Sequence, residues 1–302
     1  MRIAVTGNRN GWHFSQLHRA AEASKIELVH FDLTRACVEM KNDRTSAFFV
    51  GEYPVAEVDC ILTRAMSHGS LQHIVFRMDW LQQVETQCSL PVINSARTVE
   101  AAIDKYLSLE KIRSAGIRVP KTYVSQNTDV AMSQFERLAG DAVVKPIFGS
   151  QGRGIVRLQD ADSAIQHFEN LIADGQVIYQ QQFLEHNGDY RLLVIGDEVY
   201  GMYRRRPGHW LTNASQGAIC RSHCPSPEEI LLARKTAASV GALIAGVDVV
   251  YEGNVPYVVE INSSPAWQAI SKVVETDIAA QVIRLVEQTV AAKADARQTT
   301  TS

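Results

Sequence analysis

Over residues 1–95 the chain switches repeatedly between two hydrophobic periods. "RIAVTG", "IELVHFDL", "VDCILTRA" and "PVIN" are short apolar blocks that read as strands, whereas "HFSQLHRAAEAS" spaces its apolar residues as a helix does. Strands separated by helices predict a parallel sheet with right-handed crossovers, hence a doubly wound α/β layer structure. The turn "TGNRNG" after the first strand has Gly7 and Gly11 without GxGxxG spacing, so it reads as a plain βα turn.

A helix is predicted over Ala101–Ala115, carrying Lys105 and ending before Gly116, with Pro120 as a stop signal. "AVVKPIFGSQGRGIVRL" then reads as strand, glycine-rich loop and strand, "DADSAIQHFENLIA" as a helix and "QVIYQQQFL" as a strand. Residues 98–183 therefore form a small α/β unit of their own. A strand pair "YRLLVIGDEVYGMYRRR", a polar loop, a helix, a hairpin and a C-terminal helix follow over 184–292. Ser226, Pro227 and Glu229 mark the N-cap, first position and third position of the first of those helices. Residues 293–302 are expected to be a frayed tail.

Composition adds limits. The 302 residues are 46% hydrophobic and 21% charged with a net charge of -3, ordinary globular material for two or three packed domains. Slight acidity gives no electrostatic reason to expect a nucleic-acid partner. No apolar run approaches the roughly 18 residues of a membrane span, and the N-terminus lacks the apolar segment of a signal peptide. A cytoplasmic protein is expected. The five cysteines are odd in number and scattered, which fits reduced thiols. "CRSHC" lacks the second ligand pair of a structural zinc site and reads as packing.

The hairpin "GVDVVYEGNVPYVVEIN" carries the first chemistry. A loop centred on Asn254 places Asp248 directly opposite Glu260 on one face, with Asn262 one step further along that face. Two opposed carboxylates among valines repel unless a cation lies between them, and a few hard oxygen ligands suit Mg²⁺. In "VVKPIFGSQGRGI", Lys145 ends an apolar strand, and Gly149, Gly152 and Gly154 follow with GxxGxG spacing. Such a hairpin can turn backbone N–H groups towards an anion, with Lys145 as a point charge. Alone it is equally the pattern of a mobile turn. Arg64 follows the strand "DCIL", at the carboxyl end where open α/β sheets place ligands, and reads as a substrate-acid contact or a surface arginine. His68 and His73 read as ordinary loop or helix residues.

The order of Lys105, the Lys145–glycine loop, "QQQFL", "GDYRLLVIGDEV", the Asn213 loop and Asp248/Glu260/Asn262 resembles the ATP-grasp superfamily. Within it the chain is similar to the RimK-like branch of α-L-glutamate ligases, over roughly residues 90–290. The resemblance implies a pre-ATP-grasp α/β domain over 1–97, a central lid over 98–183 and a C-terminal mixed-sheet domain over 184–292. It implies that Lys105 and Lys145 reach the ATP phosphates, under a loop comprising Gly149, Ser150, Gln151, Gly152 and Gly154. Gln181, Gln182 and Phe183 would meet adenine, and Asp189 would approach the ribose. Asp248, Glu260 and Asn262 would hold Mg²⁺ or Mn²⁺, as two ions. Arg191 and one of Arg204 and Arg205 would face the transferred phosphoryl group and substrate carboxylate, with Asn213 beside the metal and phosphates. The implied reaction turns a carboxylate into an acyl phosphate, which the amine of an amino acid attacks, giving an amide, ADP and phosphate.

The chain also departs from its relatives. Gln182 stands where they often carry an acid, and Leu211 and Gln216 occupy a loop where they commonly place arginines, which leaves the amino acid open between glutamate and others. Ala266 replaces a frequent glycine. "NSSPAW" is similar to relatives that modify pterin-type cofactors such as tetrahydromethanopterin, so Trp267 reads as core packing or as a stacking wall for a ring. The resemblance implies a small-molecule acceptor, with a protein or peptide C-terminus as the alternative, and leaves a homo-oligomer open. A kinase or a non-catalytic nucleotide-binding module on the same scaffold remains the alternative class.

Overall fold

A computed structural model of the chain describes residues 1–149, 152–213 and 216–300, with side chains to 296. The N-terminal part runs β1 (Arg2–Thr6), α1 (Trp12–Ala23), β2 (Glu27–Phe31), β3 (Ala36–Met40), β4 (Ser46–Val50), β5 (Tyr53–Pro54), β6 (Cys60–Leu62), α2 (Leu71–Gln87) and β7 (Val92–Ile93). The expected strands β1, β2, β6 and β7 form one parallel sheet in the order β2-β1-β6-β7. Alternation along β1 sends Ile3 and Val5 to a core shared with Leu17 of α1, and Ala4 to a core shared with Leu81 of α2. Both faces are thus covered, which explains the near-continuous apolar runs of these strands. The antiparallel sheet β3-β4-β5 between β2 and β6 was not expected from the sequence.

The predicted helix over Ala101–Ala115 is two helices, α3 (Ala96–Ile103) and α4 (Lys105–Ser114). Asp104 breaks them: its backbone is extended, and its side chain caps α4 by accepting from the Leu107 N–H at 2.9 Å. That break makes Lys105 the first residue of α4.

The middle part runs β8 (Thr122–Ser125), α5 (Thr128–Arg137), β9 (Ala142–Lys145), β10 (Val156–Leu158), α6 (Ala161–Ala173) and β11 (Ile178–Gln182). Its antiparallel sheet has the order β10-β9-β11-β8, and α5 and α6 cover it through Phe135 and Phe168, edge to face at 6.4 Å. The C-terminal part runs β12 (Asp189–Ile195), β13 (Glu198–Arg205), β14 (Ile219–His223), α7 (Pro227–Val240), β15 (Ile244–Glu252), β16 (Val255–Asn262) and α8 (Ile278–Thr300). Its sheet is antiparallel in the order β14-β13-β12-β15-β16. The predicted capping box of α7 is formed by Ser226 and Glu229. Of the tail expected to fray over 293–302, the residues up to Thr300 continue α8, in keeping with the helix propensity of its alanines, and 301–302 lie outside the described residues.

Asn94, at the end of β7, ties the N-terminal sheet to the C-terminal one. Its amide donates to the Ile244 and Ser263 carbonyls at 2.7 and 2.6 Å and accepts from the Leu243 and Ile244 N–H groups at 2.8 and 3.1 Å. All four hydrogen-bonding positions of a buried amide are filled.

Candidate active site

The hairpin β15–β16 places Asp248 directly opposite Glu260, as the sequence predicted. The turn is tighter than expected, pairing Glu252 with Val255, and a bulge between Asp248 and Val249 restores the register. Beside it, β12 places Arg191 opposite Asp248, and β13 places Arg204 opposite Asp189. These side chains share one face of the sheet and form a charged row.

Arg191 grips both Asp248 oxygens, with Nε to Oδ1 at 2.5 Å and Nη2 to Oδ2 at 2.8 Å. Arg204 binds Asp189 through two N–H groups and reaches Asp248 Oδ1 at 2.9 Å. Burial works against ionising Asp248, but the Arg191 and Arg204 charges prevail and hold its carboxyl below the ordinary range. Burial prevails at Asp189 and raises its carboxyl, against the pull of Arg204. The alternation that buries Arg204 turns Arg205 outward, where it is exposed and pairs with Ile219 of the edge strand. Of the two arginines the sequence left open, Arg204 is the one at the site.

Across from this row stands Lys145, at the end of β9. Its Nζ donates to Gln181 Oε1 at 2.7 Å, and burial lowers its pKa while the charge of Glu260 opposes the shift. Lys105 Nζ donates to the Gly149 carbonyl at 2.8 Å and lies 3.8 Å from Glu260 Oε1, so the break at Asp104 delivers a cation to both the glycine loop and the acidic strand. Between the two sheets lies a partly open cleft. Lys145, Gln181, Gln182, Phe183, Asp189, Arg204, Asn213, Asp248 and Glu260 line it. So do the apolar Val143, Ile155, Leu184, Val250 and Val259, and Pro120, His186, Trp210, Leu211 and Thr212. Apart from Leu211, sequence reasoning missed these; the apolar ones carry no signal that separates a cleft wall from a core.

Asn213 meets the glycine loop: a Cβ on Gly152 would stand 2.4 Å from its Oδ1, and Gly152 has φ +72°, so only glycine fits there. Gln216 Nε2 reaches the Gly152 carbonyl at 3.4 Å. Gly154 lies in the same loop, and Ser150 and Gln151 lie outside the described residues. Phe183 is covered by Arg157, with Cζ 3.4 Å from the ring centroid, and meets Trp210 edge to face. Asn262 pairs with Gly246 and uses Oδ1 to accept from the Ser264 N–H at 2.8 Å, off the lining of the cleft.

The donor set fits a hard divalent cation. Two carboxylates and an amide oxygen stand at neighbouring strand positions, and no third His, Cys, Asp or Glu joins them among the described residues. Trp267 is fully buried, with Arg64 over its face at 4.1 Å and His13 at its edge, so it packs and does not offer a wall to a substrate ring. His223 of "CRSHC" pairs with Glu229 at 2.8 Å.

A cleft between two antiparallel sheets, with a lysine and glycine loop on one side and an acid–arginine row on the other, defines an ATP-dependent ligase of the ATP-grasp class. The RimK-like ATP-grasp domain family matches residues 102–286, and the chain belongs to that family. It is 33% identical over 295 residues to the ribosomal protein bS6–L-glutamate ligase of Shigella flexneri, covering 95% of this chain and 96% of the relative. It is 27% identical over 292 residues to the tetrahydromethanopterin:α-L-glutamate ligase of Methanococcus maripaludis, covering 94% and 97%. Its fold is similar to that of the ATP-grasp ligase PsnB, solved with a minimal precursor, Mg and ADP, at TM-score 0.75 and 19% identity over 95% of this chain and 97% of that one. Enzymes of this class use ATP and Mg²⁺. Among the described residues no helix is long and apolar enough to cross a membrane.

Proposed function

We propose that the chain joins an amino acid, glutamate by kinship, to the carboxylate of a small acceptor, with ATP converted to ADP and phosphate through an acyl phosphate. The observation that carries this reading is the row Arg204–Asp189–Arg191–Asp248–Glu260 on one sheet face, with Lys145 across the cleft. Asp248, Glu260 and Asn262 would hold the metal, as one or two ions. When bound, Mg²⁺ supplies positive charge at the phosphate oxygens, where phosphoryl transfer crowds negative charge.

The chain's own groups do the rest. Lys105 and Lys145 are fixed by Gly149 and Gln181 and present cations to phosphates without reorganising. Arg191 and Arg204, held on the row by Asp248 and Asp189, would face the transferred phosphoryl group. The apolar lining together with Gln181, Gln182 and Phe183 suits a purine ring, and Asp189 suits a ribose hydroxyl. The loop around Gly152, tied to Asn213 and Gln216, keeps water from the activated acyl group when it closes.

A peptide or protein C-terminus is the second reading of the acceptor, favoured by the 33% identity to the ligase named for ribosomal protein bS6. ADP release measured over a panel of carboxylates and amines tests the proposal. Turnover that needs both substrates and yields an amide supports it. Turnover without an amine, leaving a stable phosphorylated product, would mean a kinase, and no turnover with any pair would leave a binding module.

A further inference from the structure

The N-terminal sheet has a topological switch point beside β1. β2 lies on one side of β1 and β6 on the other, so the loops leaving β1 and β6 part at their carboxyl ends, where open parallel sheets bind ligands. Arg64 stands in this crevice, two residues beyond β6, and a Cβ on Gly7 of the β1 loop would lie 3.3 Å from the Arg64 Cβ.

Arg64 Nη2 donates to the Pro265 carbonyl at 2.7 Å, and the guanidinium stacks on Trp267. No carboxylate pairs with it among the described residues. Part of the side chain stays open to solvent, yet burial, with no acid to oppose it, draws its pKa down to about 9. The neighbouring groups add no negative charge. His13 accepts from the Trp267 backbone N–H at 3.1 Å, and burial, with the charge of Arg64, pushes its pKa down to about 4, so it is neutral. Arg77 is buried and spends its charge on the Ser67 and His68 carbonyls, at 2.6 and 3.4 Å, which pins the loop after β6.

A half-buried guanidinium with no carboxylate partner among the described residues has a planar fork that matches a carboxylate. The contact with Trp267 uses the face of the guanidinium and the bond to Pro265 uses one end of the fork, so the rest of the fork has no carboxylate to meet among the described residues. Pro265 links the crevice to the active site: a Cβ on Gly246 would touch both Arg191 Nη1, at 2.5 Å, and Pro265 Cβ, at 3.0 Å. Pro265 thus holds Arg64 through its carbonyl and lies beside the Gly246 backbone that Arg191 also meets.

We propose that Arg64 binds a substrate carboxylate that does not itself react, seated in the crevice between the loops after β1 and β6. The inference rests on the ligase reading above. The carboxylate belongs either to the incoming amino acid or to a distal part of the acceptor; the recognition chemistry is the same.

The test compares wild type with Arg64→Met, which keeps the stem and removes the charge, and Arg64→Lys, which keeps a charge without the fork. For each, KM and kcat are measured with both substrates and with their carboxamide analogues, alongside ADP affinity. In Arg64→Met the KM for one carboxylate substrate should rise roughly 100-fold, with ADP affinity unchanged. The preference for that substrate over its carboxamide should collapse, and Arg64→Lys should recover part of it. The substrate whose KM moves identifies the source. An unchanged preference in Arg64→Met overturns the inference while leaving the ligase reading intact. So does an equal rise in both KM values together with weaker ADP binding, the mark of a purely structural residue. Should wild type make no amide from any pair, the ligase reading fails. Calorimetric titration with glutamate and its α-amide, and with the acceptor-panel carboxylates and their carboxamides, then decides Arg64: selective carboxylate binding lost in Arg64→Met supports the inference, and no selective binding with any pair overturns it.

Discussion

Arg191 and Asp248 face each other across β12 and β15, joined through both oxygens of the carboxylate at 2.5 and 2.8 Å. Asp248 is therefore part of the fold's charge balance as well as a candidate metal ligand. Glu260, opposite it on β16, is more open, and among the described residues its ion pair is the 3.8 Å contact to Lys105. The two carboxylates should respond differently to loss of charge. Asp248→Asn leaves the buried Arg204 and the half-buried Arg191 short of a counterion and should cost about 3 kcal/mol of stability as well as turnover. Glu260→Gln should remove turnover at least 100-fold and leave the urea midpoint unchanged. Urea unfolding and ADP release, measured on both variants, check the contrast.

Gly152→Ala should act on the loop alone. Its φ of +72° disfavours a side chain, and the added Cβ would run into Asn213 Oδ1. The loop must lift, so turnover should fall by about tenfold or more, about 1.4 kcal/mol in barrier. Thermal stability should stay near wild type, since the loop carries no core residue.

Asn94→Leu should be among the most destabilising single changes in the chain. It leaves the Ile244 and Ser263 carbonyls and the Leu243 and Ile244 N–H groups without their side-chain partner. An unsatisfied buried group costs about 1–3 kcal/mol, so a loss of at least ~3 kcal/mol is expected in denaturant unfolding.

His13 gives a pH dependence. Its folded-state pKa, about 4, lies below its ordinary value of 6.5, so the unfolded chain binds the extra proton first as pH falls. The stability it contributes is complete above pH 6.5 and is lost between there and about pH 4. His13→Gln keeps an acceptor for the Trp267 N–H without the titration. Its urea midpoint should fall less than that of wild type between pH 7 and pH 4.5, roughly the window His13 spans.

The parts of this site that were legible in the sequence are those fixed by short-range pattern. Asp248 and Glu260 could be paired because a hairpin with a clear turn and alternating valines sets its own register, although the bulge that secures it was invisible. Lys145 and the glycine loop were legible because a strand end and glycine spacing are local features. The Arg191–Asp248 pair was not, because it depends on β12 lying beside β15, a choice made by the whole sheet. The same holds for Asn94, whose partners lie about 150 residues or more away. Trp267 could be read two ways from sequence, and only the packing of Arg64 and His13 on its ring assigned it to the core. The break at Asp104 was overlooked because the flanking residues favour one continuous helix, and a capping side chain overrode them.

The most direct test of the proposed chemistry follows oxygen. With an acceptor whose carboxylate is labelled with ¹⁸O, activation as an acyl phosphate followed by amine attack must carry one labelled oxygen into the released phosphate. The account predicts labelled phosphate in step with amide and ADP. Amide formation with unlabelled phosphate would contradict it.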